Sequence, residues 1–393
     1  MKKLSMIFLA ILLSIAANAM AFGADTASKY TQAANFTKGR LNIISFCEQW
    51  GEQDLKELYD ELTANTIGPE FSYLKYIYIY PDSPYGISGG YFEDIKFANN
   101  RITLGANCYI ELYNGAAKLS IEEMAPILSH EYGHHFTIFN MIVHEKSLYT
   151  NWADSEYAKL RNLADYPVIY DANSPITYYR HWDIVEIAAN DYVQLLGSDK
   201  AKASYRYLDA KQFVELKEDG VRYLQWHFNS KPQENTEIPL AAQVEGLYEY
   251  FLKISANQNL ANVKKPAIKK LPEITALTEE KAFINKTYNL AFNGASGSGP
   301  FEYTIILYPK EPNSIPAVIK TLSDGQPLDA TFGTLLGEKT NGEYLSVLEY
   351  YGGSCTLIVY AKDINGFIYA SEPFVYDFGN DYFDLKNYLF DTP

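Results

Sequence analysis

The chain has 393 residues, 47% hydrophobic and 21% charged, with a formal net charge of −15. That is too long for one ordinary core and too apolar for a disordered or fibrous chain, so two globular domains are expected. The acidic balance argues against a phosphate-backbone partner, and nucleic-acid binding is not expected.

Lys2 and Lys3 precede an apolar run, Leu4 to Ala17, with small residues after it. This is the pattern of a signal peptide over residues 1–21, cut after Ala19 or Ala21. The run is shorter than the roughly 20 residues of a spanning helix, and no other stretch approaches that length. The expectation is a protein secreted or held in the cell envelope, without stable membrane insertion; oligomeric state is not readable. Cys47, Cys108 and Cys355 are odd in number and sparse, which excludes a disulfide scaffold. Cys47 and Cys108 fall in one expected domain, where a disulfide and two buried thiols are both open.

In chain order, Leu55, Leu58, Tyr59 and Leu62 give an amphipathic helix over about 53–64. Leu74 to Tyr80 is aromatic and β-branched, a strand ended by Pro81, and Pro84 to Gly90 reads as a Gly/Pro loop. Tyr76, Tyr78 and Tyr80 share one face of that strand, which suits a half-buried sheet or a ligand groove. Arg101–Leu104 and Cys108–Tyr113 read as two further strands. Ser120 and Glu123 form a capping box that opens a helix running past His134, with Pro126 in its first two turns. From Trp152 to about Leu252 the pattern is mostly helical, most clearly over Asp183–Leu196 and Gln243–Leu252. Pro266 and Pro272 mark a linker beginning at Lys264. Strand-like runs follow at Tyr288–Phe292, Phe301–Tyr308, Tyr344–Leu348, Cys355–Lys362 and Phe367–Tyr376. Short strands so spaced predict an all-β sandwich over 265–380.

The chemistry concentrates in His130-Glu131-Tyr132-Gly133-His134. Two histidines four residues apart on a helix share one face one turn apart, so their nitrogens can converge on one ion. Glu131, one residue on, is placed to take a proton from a water that a zinc ion activates. Gly133 thins the helix where a strand or substrate could pass. A third protein ligand is needed. Asn140 stands where a metzincin histidine would be, and His144 points wrongly for a chelate. Glu186 lies amid apolar residues on the later helix, where an unpaired acid is expensive; Asp183 and Asp191 are its rivals.

HEYGHHF followed after some fifty residues by ExxANDY resembles the glutamate zincins, and most the branch that includes the catalytic domain of anthrax lethal factor. The resemblance covers about residues 65–200. It implies His130, His134 and Glu186 as zinc ligands and Glu131 as general base. It also implies a tyrosine hydroxyl aimed at the oxyanion, at Tyr179 with Tyr178 beside it, a group of the kind that can contribute several kcal/mol. Asn190 stands where the family often has an acid four residues past the third ligand, so the partner of a ligating histidine is open between Asn190 and Asp191. The last part, notably Leu357 to Gly366, resembles bacterial immunoglobulin-like or fibronectin-like modules.

The expected fold class is therefore α+β, with a zincin-like domain over 25–258 followed by an immunoglobulin-like sandwich. The expected activity is zinc-dependent hydrolysis of peptide bonds in a peptide or protein, the substrate strand lying on Cys108–Tyr113. A non-catalytic adhesion protein with a structural metal and a cell-wall peptide amidase are the alternatives; a structural zinc would need a fourth protein ligand.

Overall fold

The structure, a computed structural model, describes residues 29–83, 87–98, 101–117, 120–170, 180–202, 232–233, 235–255, 265–282, 285–310, 317–333 and 353–378. The leader and the strand expected at Tyr344–Leu348 lie outside the described residues. The chain is mixed α+β and divides into two compact units, Met1–Lys202 with Val244–Val263, and Ala203–Gln243 with Lys264–Pro393.

In the first unit β1 (Ala34–Lys38), β2 (Leu41–Ser45), α1 (Glu52–Ala64), β3 (Leu74–Ile79), β4 (Gly89–Phe92), the hairpin β5 (Ile95–Ala98) and β6 (Arg101–Leu104), and β7 (Cys108–Leu112) follow in order. The main sheet runs β1-β2-β3-β7-β4. Parallel pairing joins β2 to β3 and β3 to β7, and antiparallel pairing adds β1 and β4 at the rims. The edge strand beside the helices is thus β4. The expected edge, Cys108–Tyr113, is interior, because β4 covers it. Gly89 and Gly90, read as loop, belong to that strand.

Alternation sorts the sheet faces. Ile43, Ile77, Ile79, Ile110 and Leu112 are fully buried. The other face carries Phe46, Tyr76, Tyr78, Tyr80, Tyr109 and Phe92 in a stacked layer, with Tyr76 and Tyr78 ring centroids 5.4 Å apart and Phe92 and Tyr109 4.6 Å apart. Glu111 lies buried among these rings and accepts from the hydroxyls of Tyr113 and Tyr80. Cys47 and Cys108 are free buried thiols, which answers the open pairing.

Helix α2 (Ile121–Asn140) begins at Ser120, whose Oγ accepts from Glu123 N–H at 3.2 Å while Glu123 accepts from Ser120 N–H at 2.9 Å. Such a cap contributes about 1 kcal/mol. The short α3 (Glu156–Leu160), then α4 (Ile184–Leu196), α5 (Asp199–Lys202) and α6 (Leu247–Ile254) complete the unit. Helix α4 starts at Asp183, whose carboxylate accepts from Val185 N–H at 3.1 Å. Gly133 faces α4, not a strand or substrate: a Cβ there would stand 2.9 Å from Ala189 O and 3.1 Å from Ala189 Cα. Its missing side chain lets the two helices approach. Phe136 fills the contact below, against Tyr192 and Phe251.

The second unit has two main sheets. One pairs β9 (Glu273–Ala282), β10 (Asn285–Asn293) and β14 (Asp329–Gly333), with β10 central. The other pairs β13 (Ala317–Leu322), β12 (Phe301–Pro309) and β15 (Ser354–Asp363), with β16 (Ile368–Ala370) and β17 (Phe374–Asp377) both on β15. A small pair, β8 (Ile268–Lys270) with β11 (Ser296–Gly297), stands apart. Tyr288 from the first sheet is fully buried against Tyr376 and Phe378 from the second. Leu240 covers a cluster of Ile306, Tyr308, Ile358, Tyr360 and Ile368, and the Gln243 amide bonds both the N–H and the carbonyl of Ala370. Leu240 and Gln243, expected within the first domain, therefore group with the second unit, through this apolar cluster and the bonds to Ala370.

Candidate metal centre

One turn of α2 brings the His130 and His134 rings to 4.7 Å between centroids, at 89° to one another. Glu186, in the first turn of α4, faces them: its Oε2 is 3.0 Å from His130 Nε2 and 3.8 Å from His134 Nε2. One ligand atom from each of the three lies within 4.8 Å of the others, so the group could bind a metal ion. Among the described residues this is the one such group of three. The two rivals for the third position are occupied otherwise. Asp183 caps α4. Asp191, fully buried, is bound to Arg161 Nε at 3.0 Å and accepts from Tyr157 OH at 2.7 Å. His144 is held by the carbonyl of Ile254 at 3.0 Å.

The open question between Asn190 and Asp191 is answered by geometry. His130 Nδ1 lies 3.2 Å from Asn190 Oδ1 and Nε2 lies 3.0 Å from Glu186 Oε2, so both nitrogens face acceptors, and a hydrogen kept on Nδ1 by the amide oxygen would leave Nε2 to a metal ion. This orienting bond fixes the tautomer a metal ligand needs. Tyr179 and Tyr178 lie outside the described residues. Their neighbour Arg180, not singled out by any sequence pattern, donates to Glu186 Oε2 at 3.0 Å.

Charge and burial act together here. Burial opposes ionisation of Glu186, yet the two imidazoles and Arg180 outweigh it and hold its carboxyl far below the usual range. Burial takes His134 down to about 3. The same burial would lower His130, but the bond and charge of Glu186 raise it above its ordinary value. The lowered His134 presents a neutral donor, whereas at the raised His130 a metal ion would compete with a proton. Glu131, 4% exposed, faces β4 and is pushed up to about 7, chiefly by burial, with the negative Glu186 adding to it. A Cβ on Gly89 would stand 2.7 Å from Glu131 Oε1 and 3.0 Å from Ile127 Cγ2. Only glycine lets the edge strand pass this close to the acid.

Among the described residues no strand pairs with the outer side of this edge. Tyr113 N–H donates to Ser88 O at 3.0 Å, which makes Ser88 and Tyr113 a hydrogen-bonded pair. Alternation along the antiparallel ladder then turns the N–H and C=O of Gly89 and Tyr91 away from β7, toward the outer side. Comparison with known proteins finds no match among protein families, curated proteins or solved structures. No helix among the described residues is long and apolar enough to cross a membrane.

Proposed function

We propose that the chain is an exported zinc-dependent endopeptidase with a zincin-like catalytic unit and an immunoglobulin-like second unit. The observation that carries this reading is the convergence of His130, His134 and Glu186 beside Glu131, at an edge strand with outward peptide groups. Two imidazoles and one carboxylate are a donor set suited to zinc, and three protein ligands leave a position open, as a catalytic site requires. A divalent ion held by these residues supplies Lewis acidity, which makes water a usable nucleophile near neutral pH and polarises a carbonyl.

The protein residues account for the rest. The outer groups of Gly89 and Tyr91 pair with an extended substrate, aligning its backbone beside Glu131. Glu131 accepts the proton of the attacking water and passes it to the leaving amine nitrogen. A value near 7 suits both transfers, because the group must hold and release a proton in each turnover. Asn190 keeps the His130 ring in place, and Arg180 orients Glu186. Tyr179 remains the proposed oxyanion donor on the strength of the resemblance. Export is supported by the basic, apolar and small-residue leader at 1–21.

The test is incubation of the mature protein with a mixed-peptide library, with and without chelator, reading new termini by mass spectrometry. Cleavage at internal peptide bonds that chelator abolishes and zinc restores is expected. No cleavage, or cleavage indifferent to chelator, contradicts the reading; cleavage confined to cell-wall peptide links moves it to the amidase.

A further inference from the structure

His135 follows the second histidine of the motif and has no part in the chemistry above, yet it is fully buried. Its Nε2 lies 2.8 Å from the backbone carbonyl of Glu70. A carbonyl only accepts, so Nε2 carries the hydrogen and Nδ1 is left as an acceptor. The hydroxyl of Tyr91 stands 3.0 Å from Nδ1 and donates to it. Glu70 is tied to the same helix a second time, accepting from Tyr132 OH at 2.7 Å and from Gly68 N–H at 2.6 Å. Tyr91 belongs to the edge strand, and its ring runs nearly parallel to that of His134, 13° apart in plane with centroids at 6.5 Å.

An edge strand has a neighbour on one side only, and β4 is four residues long with two glycines at its start. Pairing with β7 fixes it within the sheet but leaves its height above the sheet to side chains on the helix side. Gly89 contributes none. Tyr91 is the one large side chain of β4 on that face, and its hydroxyl bond ends on α2 one residue past the ligand His134.

We propose that Tyr91 is a positioning residue that, through His135, sets the height of the edge strand against the metal-binding helix and so presents the strand's outer peptide groups for a bound substrate to pair with. This rests on the peptidase reading for its consequence, though not for the anchoring itself. Tyr91 touches no reacting atom in this account. It fixes the two peptide units, at Gly89 and Tyr91, that a substrate would pair with.

The experiment is a double-mutant cycle of Tyr91→Phe and His135→Phe in the full mature chain, with Tyr91→Phe carrying the test alone should the second variant not fold. Hydrogen exchange is read at the amides of Gly90 and Phe92, which bond toward β7. Roughly tenfold faster exchange is expected in Tyr91→Phe, with the amides of α2 and the zinc content unchanged, and the second substitution adding nothing to the first. With a cleaved peptide, KM should rise about tenfold and kcat stay within about twofold, the signature of weakened pairing with the substrate. Unchanged exchange in β4, additive effects in the cycle, or a fall in zinc content or kcat with KM intact overturns the proposal. If the unaltered protein shows no chelator-sensitive cleavage, the peptidase reading fails, and the exchange arm still decides the anchoring.

Discussion

Glu131 and Glu186 are two carboxylates on facing helices whose proton affinities are driven in opposite directions by what surrounds them. Glu186 has two imidazoles and Arg180 within reach and stays ionised. Glu131 has the apolar Ile127 and the bare backbone of Gly89 beside it, and burial raises it to about 7 from an ordinary 4.5. A raised carboxyl means the folded chain holds the proton more tightly than the unfolded one. Its stabilising contribution is then full below about pH 4.5 and is lost as pH rises through about 7. With chelator present, Glu131→Gln should therefore gain little stability over the parent near pH 4.5 and up to about 3 kcal/mol by pH 8. Denaturant melts at the two pH values check this. An equal difference at both would mean that Glu131 is not the buried acid described. At this scale the sequence was informative about ligand type but ambiguous about ligand identity. Asp183, Glu186 and Asp191 share one segment, and only the helix start separates them. Asp183 falls at the cap, and Asp191 lies about 140° round the helix from Glu186, where Arg161 takes it.

Between elements, the contact that matters most is α2 against α4, because it carries two candidate ligands on one side and the third on the other. Gly133 is the closest point of that contact. Gly133→Ala should gain up to about 1 kcal/mol in helix propensity and lose more to overpacking, roughly 1–3 kcal/mol, since the atoms it meets are backbone of Ala189 and cannot turn aside. A net fall in melting temperature together with weaker zinc binding is expected; a rise in melting temperature would show that the helices have room to spare. The capping box and the 3.6-residue pattern made α2 legible from sequence. Strand β4 was not legible, because Gly89 and Gly90 carry the composition of a loop. They form a strand only because β7 offers a partner edge and Glu131 leaves no space for a side chain, and both facts depend on residues far along the chain.

Across the molecule, alternation and turn residues announced the change to strands near Lys264, whereas the grouping of Leu240 and Gln243 with the second unit was not readable. Leu240 and Gln243 look like any apolar and polar pair in a helical stretch. Their placement follows from the apolar cluster of Ile306, Tyr308, Ile358, Tyr360 and Ile368, a face assembled from three strands. The tyrosine row of β3 was legible as one face, but the stacked layer it joins needs Phe46, Tyr109 and Phe92 from three other strands. Local patterns thus carried the motif and the broad class, while the surroundings of the motif came from long-range pairing.

His130, His134 and Glu186, on two helices, could bind a metal ion, and the proposed function makes that ion a catalytic zinc. Zinc content per chain after exhaustive dialysis, compared among the parent, Glu186→Ala and Glu131→Gln, tests it most directly. About one ion is expected in the parent and in Glu131→Gln, and at least a tenfold loss of affinity in Glu186→Ala. Equal zinc content in the parent and in Glu186→Ala would contradict it.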